Sequence, residues 1–513
     1  MAPWLYSAAA VGLALTRPVM STKGDNGAKW HAPAREDVNN LTKALHSNGV
    51  YNFIFDSSHT PDDKYGTYNY CNMPHVRQQE YIKPDDEYEL QYVELVSLGP
   101  LKSKQEYDIH SCKIHRHHKR TPYSGNGFPV ESYQWNCDDQ GLYYYGRPFE
   151  GHDAAKGYRK GFISEVNPFV PSGWIGSCQF PQLTPGGLDD SWQHGADLYG
   201  VYHGLLGFLP DRDDDHYTDK VEYRVTNNVI TSQVAGMVIN GMWGTIGDFP
   251  LLVQAENVDS LEPQYSCPAS EELFDSIKSS DNQEWQRHLD EAEHLFRELD
   301  NISGVATDDS GFHASFDHYF DNLSSRQCHA KPLPCKLVDG RNSTTCITQE
   351  MADAVYRLGH WEYSQIYRDN KSSLSASSSG YGVWVAELAV HLREVINGKR
   401  HTIYFHNVAH DGSVSRLLSV LQLDKMVWPG MGAEVVFELY KKRHGGSRGE
   451  SSNKNRYYVR VLFGGQVFKS SSPKLGTMDM IPADTLLEYL DALVGNKASL
   501  VKGKCRNAAS GRN

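Results

Sequence analysis

Strand-like and helix-like segments alternate near both ends of this chain, and the stretch between them, residues 261–379, is mostly helical in pattern. That arrangement predicts an α/β protein whose sheet is built from two distant segments, interrupted by an α-helical insertion. In the first segment, residues 88–98 (YELQYVELVSL) fit either a strand or a short helix, and 107–114 fit a strand that runs into a polar loop. Residues 188–209 place Leu198, Val201, Leu205, Phe208 and Leu209 on one side of a helix that Pro210 stops. Residues 220–226 alternate as a strand, and 230–242 return to helical spacing. In the insertion, 271–299 is amphipathic with opposite charges four residues apart, and the Ser-rich run 372–379 reads as a loop or boundary. The second segment offers a helix at 383–395, a strand at 402–408, a helix at 416–423, and strands at 433–440 and 456–463. A loop rich in Gly, Ser and Lys joins the last two. The expected division is a leader at 1–20, an extension at 21–87 wrapped on the body, core halves at 88–260 and 380–490, a cap at 261–379 and a tail at 491–513.

At 513 residues, 39% apolar and 22% charged, the chain can bury a large core as an ordinary globular protein. Its net charge of −13 argues against a nucleic-acid partner, because affinity for phosphate backbones comes from surplus Lys and Arg. Residues 4–15 carry no charge. They are too short for a membrane span of about 20 residues but suit the apolar region of a signal peptide. No later run is long enough to span a bilayer, so no membrane span is expected. Nine cysteines without a CxxC pair read as disulfides, eight of them sufficing for four bridges of open pairing. Sequons at Asn40, Asn301, Asn322, Asn342 and Asn370 fit the same reading, a glycoprotein exported to the medium, the wall or a vacuole.

The densest chemistry lies in Arg116-His117-His118-Lys119-Arg120-Thr121-Pro122. Guanidinium forks match phosphate oxygens, and an imidazole held beside them is a nucleophile for phosphorus. The competing readings are a solvated basic loop or, with His110 and His115, a metal cluster, although adjacent imidazoles rarely converge on one ion. A second feature is His410-Asp411, set after the strand 402–408 and before a helix, where α/β folds collect ligands. The pair suits anion binding plus proton delivery. Alternatively, Asp411 only caps the helix. Lys119 and the acidic run 211–215 read as solvated, 143–145 as aromatic packing, and His406 as a core or supporting histidine.

Taken together, these motifs resemble the histidine acid phosphatases, the branch of the histidine phosphatase superfamily that includes fungal phytases. That family has an Arg-His-Gly-x-Arg-x-Pro loop and a distant His-Asp pair; here the chain reads RHHKRTP at 116–122 and HD at 410–411. QLTPGG at 182–187, RVT at 224–226 and VVFELY at 435–440 add to the likeness, which is greatest to filamentous-fungal members. The resemblance implies a phosphoglycerate-mutase-like central sheet flanked by helices, with a mostly helical cap. It implies His117 as phosphate acceptor, Asp411 as proton donor, and Arg116, Arg120, Arg224 and His410 as holders of the phosphoryl oxygens. The substrate would be a phosphomonoester, the products an alcohol and inorganic phosphate, and neither metal nor cofactor is called for. Two departures stand out. His118 replaces the family's glycine and becomes a candidate for setting specificity, and Ile230 stands where a second arginine often follows Arg224. The alternatives are a phytase-like inositol phosphate phosphatase and a phosphatase-like protein whose activity is lost or repurposed.

Overall fold

The computed structural model describes residues 28–50, 70–96, 117–131, 133–143, 146–162, 164–170, 173, 176–214, 216–443 and 456–506. The expected leader, the strand at 107–114, Arg116, Cys112 and the loop between the last two expected strands lie outside the described residues.

The chain is a mixed α/β protein with a central sheet flanked by helices. The strands are β1 (Tyr88–Val96), β2 (Val221–Val225), β3 (Leu252–Val253), β4 (Tyr404–Val408), β5 (Val435–Lys442), β6 (Tyr457–Phe463), β7 (Gln466–Val467) and β8 (Ile481–Pro482). They form one sheet in the order β7-β6-β5-β1-β4-β2-β3, with β8 pairing on β6. β1, β4, β2 and β3 run parallel, with Val93 opposite Tyr404 and Tyr223 opposite His406, whereas β5 joins β1 antiparallel. The described part of the segment 88–98, open between strand and helix in the sequence, is thus a strand over Tyr88–Val96 fixed by partners on both sides.

Alternation along the strands sends side chains to two cores. Val93, Leu95, Tyr404 and Val408 face one, closed by α1 (Pro185–Tyr199) and α2 (Val229–Trp243); Tyr92, Phe405, Phe437 and Leu439 face the other. Helices dominate the region between the two halves, among them α3 (Asp317–Cys328), and a short hairpin pairs Cys335–Val338 with Arg341–Cys346. In the second half, α4 (Gly382–Ile396) packs on the sheet and α5 (Asp411–Val420) follows β4.

Two expectations fail locally. The Ser-rich run forms a buried helix, Ser373–Gly380. Three of its hydroxyls donate to nearby carbonyls, among them Ser379 Oγ to Ser375 O at 2.8 Å and Ser373 Oγ to Ile366 O at 2.8 Å. Small side chains let neighbours approach: Ser270 Oγ lies 2.5 Å from where a Cβ on Gly380 would stand. The sequon at Asn322 has no room for a glycan, since its side chain is 1% exposed, donates to Asn126 O and accepts from Arg326 Nε.

Disulfides join Cys71 to Cys328, Cys137 to Cys178, Cys267 to Cys505 and Cys335 to Cys346, so every described cysteine is paired. Segments before β1 are tied to the body by hydrogen bonds from Trp30 to Arg368 O and from Val76 N to Glu434 Oε1.

Beneath the sheet's α1 face lies a group of buried histidines. His75 stacks on His194 at 4.1 Å between ring centroids, and His194 Nε2 meets Glu434 Oε2 at 2.9 Å. His406 stacks on Tyr223 and shares a hydrogen bond with the Tyr404 hydroxyl, 2.9 Å from its Nδ1. Burial, then the nearby His194, pushes His406 down to about 3. The unfolded chain binds this proton near pH 6.5 and the folded chain does not, so protonation favours unfolding as pH falls from about 6.5 to 3. Replacing the ring by a non-titrating acceptor, His406→Gln, removes that penalty. Urea unfolding should show the variant gaining on the wild type by about 1 kcal/mol per pH unit between pH 6 and 4. A difference that stays constant with pH would contradict a neutral buried His406.

Candidate active site

Three stretches of chain meet at the end of the parallel strands. β4 delivers His410 as the residue preceding α5, in extended backbone, and Asp411 opens the helix, where aligned peptide dipoles favour negative charge. The Asp411 carboxylate accepts from Trp428 Nε1 at 2.9 Å and from the Tyr363 hydroxyl at 3.5 Å. Trp428 is held flat between Phe320 and Tyr363, with ring centroids 4.2 and 4.1 Å away. That stack fixes the direction of the indole N–H, and so the place of the carboxylate.

His410 is buried, its Nε2 lying 3.1 Å from Glu262 Oε1 and 3.4 Å from the Thr226 hydroxyl. Burial, reinforced by neighbouring Asp259, holds the Glu262 carboxyl well above the usual carboxylate range. Thr226 belongs to the RVT triplet, whose strand residues pair with β4.

The third stretch carries His117. Its ring is 1% exposed and Nδ1 lies 2.6 Å from the carbonyl oxygen of His118. A carbonyl only accepts, so Nδ1 carries the proton and the lone pair is on Nε2. That lone pair receives the Arg120 Nε–H at 2.5 Å. The two terminal nitrogens of Arg120 grip Asp321 of α3 at 2.8 and 3.3 Å. Asp321 also accepts from Tyr123 N and Asn126 Nδ2, so the helical insertion reaches into the site through one carboxylate. The Tyr123 ring lies under the guanidinium, 4.0 Å from its carbon.

Electrostatics link the His117 and His410–Asp411 segments. Burial works most strongly against the Arg120 charge, yet Asp321, Tyr123 and Asp411 together more than offset it. Burial pushes the Tyr123 hydroxyl far up, Arg120 opposes this, and Asp411, Asp321 and Glu262 each add to it. His117, Arg120, Tyr123, Asp411 and Glu262 therefore lie in one local field.

Two predicted residues have other surroundings than expected. Arg224 gives Nη1 to Glu387 at 2.9 Å, and Nη2 to Gln254, Asp259 and Ser260 at 2.7, 3.2 and 2.9 Å. Its terminal nitrogens thus clamp β2 to α4 and to the loop that leads into Glu262, and only buried Nε stays without a partner. A buried guanidinium needs such compensation, and Glu387 and Asp259 supply it. His118 is likewise buried, its Nε2 3.4 Å from His194 Nδ1 and its ring only 2.6 Å from where a Cβ on Gly432 would stand. Gly432, at φ +75°, is required there to let the ring in. His118 thus faces the interior histidine group, while its carbonyl sets the His117 tautomer.

Sequence reasoning missed Asp321, Glu262, Trp428 and Tyr363. None sits in a local pattern; only the need of a buried arginine for a buried carboxylate signals such a partner, and it does not say which one. Among the described residues no three His, Cys, Asp or Glu side chains converge as a metal-binding group, and no helix is long and apolar enough to cross a membrane.

Residues 112–464 match the model of the histidine phosphatase superfamily (branch 2). No curated protein sequence matches the chain. Among solved structures it is similar to the apo form of the Hafnia alvei phytase, at 12% identity over 83% of this chain and 100% of that one, with a TM-score of 0.47. A Klebsiella phytase is 14% identical over 83% of this chain and 98% of its own, at a TM-score of 0.42. The multiple inositol polyphosphate phosphatase of Bifidobacterium longum, in complex with phosphate, is 11% identical over 79% and 93%, at 0.40. With the family match spanning more than half of its length, the chain belongs to branch 2 of the histidine phosphatase superfamily.

Proposed function

We propose that this phosphatase is an exported acid phosphatase that hydrolyses phosphomonoesters through a phosphohistidine on His117. The observation that carries the reading is the His117 ring itself: its proton is fixed on Nδ1 by the His118 carbonyl, and its Nε2 lone pair is aimed at a guanidinium. The phosphoryl group of a substrate would take the position next to Nε2 that Arg120 fills, with Arg120 turning its N–H groups to the equatorial oxygens. Arg116 and His410 would complete that set of donors, and Arg224 would contribute through Nε while holding the loop that carries Glu262.

In the first step the Nε2–P bond forms and the ester O–P bond breaks, with the electron pair leaving on the alcohol oxygen and Asp411 giving it a proton. In the second, water attacks phosphorus, its proton passes to Asp411, the N–P bond breaks, and phosphate leaves. Asp411 must be protonated at the start, so turnover is expected to favour acid. Substrate charge also relieves the crowding of cations in the loop. Export is supported by the apolar run 4–15 together with the paired cysteines.

His117→Ala should lower kcat on p-nitrophenyl phosphate at pH 4–6 at least about a thousandfold with the fold intact. Retained turnover would remove His117 from the chemistry. Asp411→Asn should cost about 10²–10⁴-fold on esters of poorly leaving aliphatic alcohols, but under about tenfold on p-nitrophenyl phosphate, whose leaving group needs no proton. Equal losses on both would rule out proton donation by Asp411.

A further inference from the structure

A cavity of about 370 Å³ opens beside the site, between α2 and the segments around 179–182 and 256–264. Three of its lining residues adjoin the site. Glu262 lines it and stands 3.1 Å from His410 Nε2. Gln182 lines it and gives its N–H to the hydroxyl of Thr121, the residue after Arg120. Asn227 lines it and follows Thr226, whose hydroxyl is 3.4 Å from His410. An alcohol leaving from phosphorus beside His117 would have this cavity to occupy.

Among the described residues its wall is polar without being basic. Gln179, Gln182, Asn227, Asn228, Gln233 and Gln264 all line it. A side-chain amide offers donors and an acceptor together, the same combination that a hydroxyl group presents. Among the described lining residues Arg159 is the single Arg or Lys, against the carboxyls of Glu256 and Glu262. Arg159 and Glu256 balance, and Glu262 adds either nothing or a further negative charge. Ile230 fills the wall with an apolar side chain from the first turn of α2. A ring bearing several phosphates would need a cation for each of them. This wall supplies instead amides, one balanced ion pair's worth of charge and a hydrocarbon patch. The volume lies at the small end of ligand pockets, fitting one sugar-sized group.

We infer that the leaving-group cavity selects phosphomonoesters of neutral, polyhydroxylated alcohols, of the sugar monophosphate class, over polyphosphorylated rings. The inference rests on the hydrolase reading above and names the substrate class of that same site. Glu256 is an exposed acidic member of the wall whose charge can be reversed without disturbing the core.

The test compares kcat/KM for glucose 6-phosphate and inositol hexakisphosphate on the wild type and on Glu256→Lys, with p-nitrophenyl phosphate as a reference. The wild type should favour the sugar phosphate at least about tenfold, and Glu256→Lys should shift the ratio towards the hexakisphosphate by about fivefold, because a repulsive charge becomes attractive. If the wild type turns over p-nitrophenyl phosphate but handles the hexakisphosphate as well as the sugar ester, the inference falls and the hydrolase reading stands. An unchanged ratio in Glu256→Lys would also overturn it, by showing that the wall does not meet the leaving group. Absence of turnover on p-nitrophenyl phosphate would remove the hydrolase reading and the substrate class with it.

Discussion

A guanidinium removed from water must be compensated, and in this protein the compensation of Arg120 organises the site. The side chain is 2% exposed, with one nitrogen on the His117 imidazole and two on the Asp321 carboxylate. Removing one partner of such a buried pair typically costs about 3–5 kcal/mol, since the other charge is left without water or counter-charge. The pair therefore fixes more than itself. Asp321 belongs to α3 and Arg120 to the loop after His117, so the ion pair ties that helix to that loop. The same loop backbone supplies the carbonyl that orients His117.

Asp411 is positioned by a different device, an aromatic stack. Phe320, Trp428 and Tyr363 are contributed by three separate elements and lie face to face, directing the indole N–H at the carboxylate. Phe320 stands next to Asp321 in α3, so one turn of that helix supports both the arginine on His117 and the carboxylate proposed to move protons. Glu262, pushed towards its neutral form by burial, adds a polar group beside His410.

Much of the architecture was legible because the periodicities are local. The strand 402–408, the helix 383–395 and the helix 230–242 are all found within a residue or two of the expected positions, and the His117 and His410–Asp411 segments share one electrostatic field. What was not legible is what distance in sequence hides. The Ser-rich run 372–379 has the composition of a loop, and becomes a helix only because its hydroxyls find carbonyls and its small side chains admit a neighbouring helix. Arg224 carries a family motif, yet the sequence gives no sign that Glu387 and Asp259 claim its guanidinium. His118 looked like an intruder in a glycine position; Gly432, far away in the chain, makes the space for it.

The account stands or falls on Nε2 of His117 as the atom that accepts phosphorus. Incubating the enzyme with a radiolabelled phosphomonoester, quenching within the first turnovers in alkali and digesting to peptides tests it directly. The account predicts a label on the peptide containing His117 that survives base and is lost in acid, as a nitrogen–phosphorus bond is, and that accumulates from an aryl phosphate, whose leaving group needs no proton, when Asp411→Asn slows its hydrolysis. Turnover with no protein-bound label at any time, or a label carried on a different residue, would contradict it.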